Sequence, residues 1–101
     1  MKLIVIMSIE EHAERLRKLL TENRVLVFSE LTMKGFKRFP APDSRDDWFT
    51  RGRSETYSHL VFTVTEKKRA DELMDVIRKE SASDQSSNPI HAFVANVEEF
   101  I

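Results

Sequence analysis

Two apolar segments and the long polar stretch between them dominate the pattern of hydrophobic positions in this chain. The segments are residues 25–28 (Val-Leu-Val-Phe) and residues 60–64 (Leu-Val-Phe-Thr-Val). Both glycines, two of the three prolines, the only tryptophan and the only tyrosine lie between residues 24 and 66. Because glycine and proline interrupt regular structure, the pattern predicts two strands joined by a long loop. Loops of this length inside a domain are usually functional or disordered.

The first part of the chain predicts a strand followed by a helix. Residues 2–7 form a near-continuous apolar run, which is typical of a central strand buried on both faces. Apolar residues then recur at helical spacing over residues 9–20, with charged residues between them. Ser8 and Glu11 have the spacing of a capping box, so we expect Ser8 to begin this helix.

Similar apolar patterns predict three further strands and a second helix in the rest of the chain. The second strand is predicted from residue 24 to residue 33 or 34, and the third over residues 57–65. Thr65 is placed to cap a second helix over residues 66–80, whose apolar positions again have helical spacing. After a polar loop, Pro89 precedes a fourth strand over residues 90–97.

This order of elements predicts an α+β fold, the ferredoxin-like βαββαβ arrangement, as a single domain over residues 1–101. Right-handed crossovers place both helices on one face of a four-stranded antiparallel sheet. The strands nevertheless carry more apolar residues than one face can hold. An exposed apolar sheet face usually marks a protein–protein interface, so we expect a homo-oligomer assembled through sheet faces or strand edges.

Composition narrows the class of protein. A net charge of −1 argues against a general nucleic-acid binder, which usually carries a basic excess. The absence of cysteine excludes a disulfide framework, a thiolate zinc site and a cysteine nucleophile, and it fits a cytoplasmic protein. No segment approaches the roughly 20 apolar residues of a membrane span, so no direct membrane insertion is expected.

Three segments carry a resemblance to a known family. Residues 30–38 read Glu-Leu-Thr-Met-Lys-Gly-Phe-Lys-Arg, residues 51–57 read Arg-Gly-Arg-Ser-Glu-Thr-Tyr, and residues 91–98 read His-Ala-Phe-Val-Ala-Asn-Val-Glu. In order and spacing they resemble the second strand, the T-loop and the last strand of the PII signal-transduction superfamily. The resemblance covers nearly the whole chain.

The resemblance implies a trimeric sensor. Members of the family bind a small ligand, usually an adenine nucleotide (ATP, ADP or AMP), in clefts between subunits at the base of the T-loop. The loop then changes shape and docks on a partner such as a membrane transporter. Carried over to this chain, the ligand-binding residues are Ser29, Lys34, Gly35, Phe36, Lys37, Arg38, Val64, His91 and Phe93. The partner-binding residues of the loop are Arg45, Trp48, Phe49, Arg51, Arg53 and Tyr57.

One part of the family's phosphate-binding apparatus is replaced. ATP-binding members carry a Gly-Asp-Gly-Lys turn before the last strand, whereas residues 88–91 here read Asn-Pro-Ile-His. Pro89 has no amide to donate to a phosphate, and His91 stands at the position of the lysine. The basic segment over residues 34–38 remains, and it predicts a site for a small anionic metabolite.

Each of these assignments has a simpler structural interpretation. The basic segment is also what a solvated strand end requires, and a lone histidine such as His91 is usually structural. Trp48 and Phe49 serve either as an anchor for a partner or as packing for the loop itself. Tyr57 matches a position that is nucleotidylated in some family members, but inserted residues displace it.

Two further functions remain open from the sequence. One is a divalent-cation-responsive trimer, similar to the cation-tolerance proteins that share this fold, with histidines as candidate ligands. The other is a dimeric ferredoxin-like enzyme of the heme-degrading or monooxygenase kind. No nucleophile motif surrounds any serine or histidine, and acidic pairs such as Asp46-Asp47 read as solvated surface. We therefore expect a non-enzymatic protein without catalytic residues and without assigned metal ligands.

Overall fold

A computed structural model of the chain describes residues 1–36, 57–83 and 90–101. The described elements are β1 (Lys2–Ser8), a short 3-10 helix (Glu10–His12), α1 (Ala13–Glu22), β2 (Ser29–Thr32), β3 (His59–Thr65), α2 (Lys67–Ser83) and β4 (His91–Asn96). The strands form one sheet in the order β2-β3-β1-β4, and every neighbouring pair is antiparallel. The predicted ferredoxin-like α+β fold is confirmed.

The central strand β1 is buried on both faces, as its apolar run predicted. Ile4 and Ile6 point to the helices and pack there with Val61 of β3. Val5 and Met7 point to the opposite face, because successive side chains of a strand alternate. The helices contribute their apolar stripes to the first core: Leu16 and Leu20 from α1, and Ala70, Leu73 and Ile77 from α2.

The face opposite the helices is only partly covered. At the end near Met7, the fully buried Tyr57 packs into a second cluster with Val5 and Met7. The middle of the face is a row formed by Val5 and its two register partners, Phe62 of β3 and Phe93 of β4. Phe62 is 37% exposed and Phe93 is 41% exposed, so an apolar surface faces outward.

The start of the first helix differs from the prediction. Ser8 does not cap it: the strand continues through Ser8, a 3-10 turn follows, and α1 begins at Ala13. The position before the 3-10 turn is Ile9, and no side chain caps it. The predicted capping box does not form because the Ser8 hydroxyl is buried and pairs with His59 instead.

The second strand is shorter than predicted, beginning at Ser29 rather than at Arg24. Arg24 adopts a left-handed backbone conformation with φ of 63°, and the Val25 amide donates to the Leu20 carbonyl at 2.9 Å. These contacts turn the chain sharply at the end of α1. Residues 25–28 therefore reach the sheet without joining its ladder, and Thr63 Oγ1 donates to the Val27 carbonyl at 2.8 Å.

No helix within the described ranges is long and apolar enough to span a membrane.

The first testable prediction concerns the helix-facing core. Leu16 is fully buried, whereas Leu26 is 79% exposed. Leu16→Ala removes buried hydrocarbon and leaves a cavity, so we expect a loss of about 2–5 kcal/mol in the free energy of unfolding. Leu26→Ala is the matched control and should cost far less. Chemical denaturation of both variants measures the difference, and equal losses would contradict this description of the core.

Candidate functional site

The two ends of the chain segment between β2 and β3 are held side by side at one end of the sheet. Just beyond β2, the Met33 amide donates to the Ser58 carbonyl at 2.8 Å. The Ser58 amide in turn donates to the Ser8 carbonyl at 3.2 Å, and Ser58 Oγ accepts from the Glu10 amide at 3.2 Å. Ser58 thus joins the base of the predicted long loop to the end of β1 and the start of the first helical turn.

A chain of polar side chains lies on the helix side of this end of the sheet. Ser8 Oγ is 3.3 Å from Nδ1 of His59, and Nε2 of His59 is 2.5 Å from Oε2 of Glu30. Arg17 of α1 donates from Nε to Oε1 of the same carboxylate at 2.7 Å. This chain, Ser8–His59–Glu30–Arg17, joins three strands to the first helix.

The alternation of the strands explains why these residues meet. His59 lies two positions before Val61 on β3, and Glu30 is the register partner of Val61 on β2. Both side chains therefore point toward the helices, where buried polar groups need hydrogen-bond partners. His59 is 3% exposed and Ser8 is fully buried, and each finds its partner in the other.

Glu30 dominates the electrostatics of the Ser8–His59–Glu30–Arg17 chain. The hydrogen bond from Arg17, followed by that from His59, lowers the pKa of the Glu30 carboxyl. The same carboxylate raises the pKa of the Arg17 guanidinium. An ionised carboxylate only accepts hydrogen bonds, so Nε2 of His59 donates to it. The other ring nitrogen, Nδ1, shares a hydrogen bond with the Ser8 hydroxyl.

A serine, a histidine and a carboxylate are also the components of a nucleophilic triad. In the Ser8–His59–Glu30–Arg17 chain, however, the serine lacks the solvent access that a nucleophile needs. The Ser8 hydroxyl group belongs to a residue with no exposed surface. A substrate therefore has no route to it in this arrangement. The geometry instead supports a structural role, in which these four side chains hold α1 against the ends of the strands next to the loop.

On the opposite side of the same sheet end, Tyr57 packs edge-on against His91, with ring centroids 5.3 Å apart and planes at 73°. Tyr57 is fully buried in the single chain. A role for Tyr57 in contacting a partner, as the family resemblance implies, would require this ring to leave its cluster.

The predicted ligand-binding residues fall into groups. Gly35 is buried, while Lys34 and Phe36 are exposed just beyond β2. His91 lies at the same end of the sheet, since its register partner is Met7 near the end of β1. Lys37 and Arg38 lie outside the described residues.

The other predicted ligand residues lie farther from the loop base. Ser29 is the register partner of Phe62, and Phe93 that of Val5, in the middle of the sheet. Val64 pairs with Leu3 near the far end. These positions share the face opposite the helices with His91 but lie at different places along the strands. The loop residues Arg45, Trp48, Phe49, Arg51 and Arg53 lie outside the described residues.

Sequence reasoning missed the Ser8–His59–Glu30–Arg17 chain. A usable signal was present: strand alternation puts His59 on the same side as Val61 and predicts a buried histidine that needs a partner. Within residues 1–36, 57–83 and 90–101, no three histidine, aspartate or glutamate side chains are grouped closely enough to hold a metal ion.

Comparisons of the sequence with models of protein families and with curated proteins found no match.

The second prediction follows from the lowered pKa of Glu30. A carboxyl group with a lower pKa in the folded state stabilises the protein above its ordinary pKa of 4.5, and that stabilisation is lost as the pH falls through the folded-state value. Glu30→Gln should therefore cost about 1 kcal/mol near neutral pH. The difference from wild type should shrink in acid.

Thermal unfolding of wild type and Glu30→Gln across a pH series measures this effect. Glu22→Gln, at the exposed end of α1, is the control and should unfold like wild type throughout. A Glu30→Gln deficit that stays constant from neutral to acidic pH would show that the charge of Glu30 is not the source of its contribution.

Proposed function

We propose that this chain is a non-enzymatic, trimeric, PII-like regulator that acts in the cytoplasm. Each cleft between subunits binds a small anionic metabolite, with an adenine nucleotide as the first class to test. Binding sets the conformation of the segment between β2 and β3, which then contacts a regulated protein such as a membrane transporter. Only a ligand with different affinities for two loop conformations can drive such a change.

The observation that carries this proposal is the exposed apolar face of the sheet. Leu31, Phe62 and Phe93 are 46%, 37% and 41% exposed and lie on the side opposite both helices. Contiguous exposed apolar surface is typical of interaction sites. In the proposed oligomer, further copies of the chain cover this face, and the predicted ligand residues of one subunit lie beside those of another.

The anchored base of the loop supports the switching part of the proposal. Met33 and Ser58 are hydrogen-bonded across the base, and Ser58 is tied to β1. A ligand bound beside Lys34 and Gly35 would act on a segment that starts from a fixed frame. No observation in the described residues favours the cation-responsive trimer or the dimeric enzyme over this proposal.

The third prediction tests the interface. Phe93→Glu places a charge in the middle of the apolar face, so we expect the trimer to dissociate while circular dichroism retains the fold. Leu26→Glu is the control, because Leu26 is apolar and exposed but lies outside the sheet ladder. Sedimentation velocity measures the mass of each variant. A Phe93→Glu protein that assembles like wild type would contradict an interface on this face.

The fourth prediction tests the anion site at the loop base. Arg38→Ala should abolish nucleotide binding without unfolding the protein, because it removes a cationic hydrogen-bond donor from the predicted loop base. Arg78→Ala is the control, since Arg78 is exposed on α2 and pairs with Asp75 of the same helix. Calorimetric titrations with ATP, ADP and AMP compare the two variants. Coincident titration curves for wild type and Arg38→Ala would show that this site assignment is wrong.

A further inference from the structure

A separate cavity of about 230 Å³ lies at the end of the sheet away from the loop base. It is lined by residues 24–27, by the last residues of β3, and by Arg69 and Leu73 of α2, and it is partly open to solvent. Pairing between β2 and β3 stops at Ser29 and Phe62. On the side away from β1, residues 63–65 of β3 therefore border this gap and not a strand of the sheet.

Two guanidinium groups line the cavity, and one of them is held in place. Arg69 donates from Nη2 to the Asn23 carbonyl at 2.7 Å and from Nη1 to Oε2 of Glu72 at 2.8 Å. These contacts fix the group against the turn after α1 while Arg69 remains part of the cavity wall. A cation whose position is already fixed loses little conformational freedom when a ligand binds.

The second guanidinium belongs to Arg24, whose left-handed backbone conformation sets where its side chain leaves the turn. Within the described ranges the Arg24 side chain has no hydrogen bond and no ion pair. Among the described residues, Glu72 is the one carboxylate that pairs with either arginine. The cavity therefore keeps a net positive charge that suits an anion.

The apolar walls and the volume of the cavity indicate which class of anion fits it. Val25, Leu26 and Leu73 give it apolar sides. Pockets for drug-sized ligands usually exceed about 300 Å³, so this volume suits a molecule smaller than a nucleotide. Arginine pairs with carboxylates through two parallel hydrogen bonds. An anion with a short hydrocarbon part matches both the charge and the walls.

We propose that this cavity binds a short-chain aliphatic carboxylate. Its carboxylate group lies between Arg24 and Arg69, and its hydrocarbon part packs against Val25 and Leu73. The site lies at the opposite end of β3 from the loop base, although Val64, which lines the cavity, is also one of the ligand-binding residues that the family resemblance implies. A strand rises about 3.3 Å per residue, so the length of β3 separates the two sites.

The fifth prediction is tested by titrating ¹⁵N-labelled protein with 2-methylpropanoate, with its neutral isostere 2-methylpropanamide and with inorganic phosphate. We expect 2-methylpropanoate to shift the backbone amide resonances of residues 24–27 and 63–65 in a saturable manner. The amide should not, because it lacks the charge. Arg24→Gln should weaken carboxylate binding about tenfold or more, the usual consequence of losing a charged hydrogen bond.

Two control variants separate this proposal from others. Arg78→Gln removes an equal charge from an exposed position on α2 and should bind like wild type. Lys34→Ala alters the loop base and should also leave carboxylate binding in the cavity unchanged. A failure of the regulator proposal, which concerns the loop base, can therefore be told apart from a failure of the cavity proposal. Absence of shifts in residues 24–27 and 63–65, equal shifts with 2-methylpropanamide, a response to phosphate alone, or equal weakening by Arg24→Gln and Arg78→Gln would each overturn the proposal.

Discussion

The burial of β1 on both of its faces is the constraint on which the rest of the structure depends. Ile4 and Ile6 are fully buried beneath the helices, and Val5 and Met7 are nearly as buried on the other side. The two described α-helices cover one of these faces. Near Met7 the ring of Tyr57 covers the second face, and Val5 lies between its register partners Phe62 and Phe93, which are themselves exposed. The residues beside the buried central strand are thus apolar and exposed, and a further layer of protein can cover them.

Polar side chains organise the end of the sheet that bears the loop. The chain Ser8–His59–Glu30–Arg17 links α1 to the strand ends on one side, and Tyr57 with His91 packs on the other. Backbone hydrogen bonds through Ser58 connect these two sides to the loop base. A ligand that moved the loop base would therefore act on both layers, which is the mechanical property that a regulator with a ligand-sensitive loop needs.

The sequence predicted the fold because its strongest signals are local. The apolar run of β1 and the helical spacing of Leu16, Leu20, Leu73 and Ile77 reach the core as predicted. The prediction from sequence was wrong where a contact with a distant residue overrides a local rule. Ser8 has the correct spacing for a cap, but the hydroxyl pairs with His59, which is 51 residues away in the chain. Arg24 belongs to an apolar strand pattern, but its left-handed conformation follows the end of α1.

The candidate site was less predictable than the fold for the same physical reason. Lys34, Gly35 and His91 could be placed at the loop base from the order of elements, whereas the pairing of Glu30 with Arg17 and His59 depends on the register of β2 against β3. The cavity beside Arg24 and Arg69 exists because β2 starts late, and no local pattern in the sequence signals that start.

The most direct test of the central claim, that other copies of the chain cover the open apolar face, is the mass of the wild-type protein by native mass spectrometry. We expect three chains per particle in the absence of any added ligand, because the apolar face is exposed in the single chain without a ligand. A particle of one chain or of two chains would contradict it. The row of Phe62, Val5 and Phe93 would then need another explanation, and the trimeric regulator would lose its physical basis.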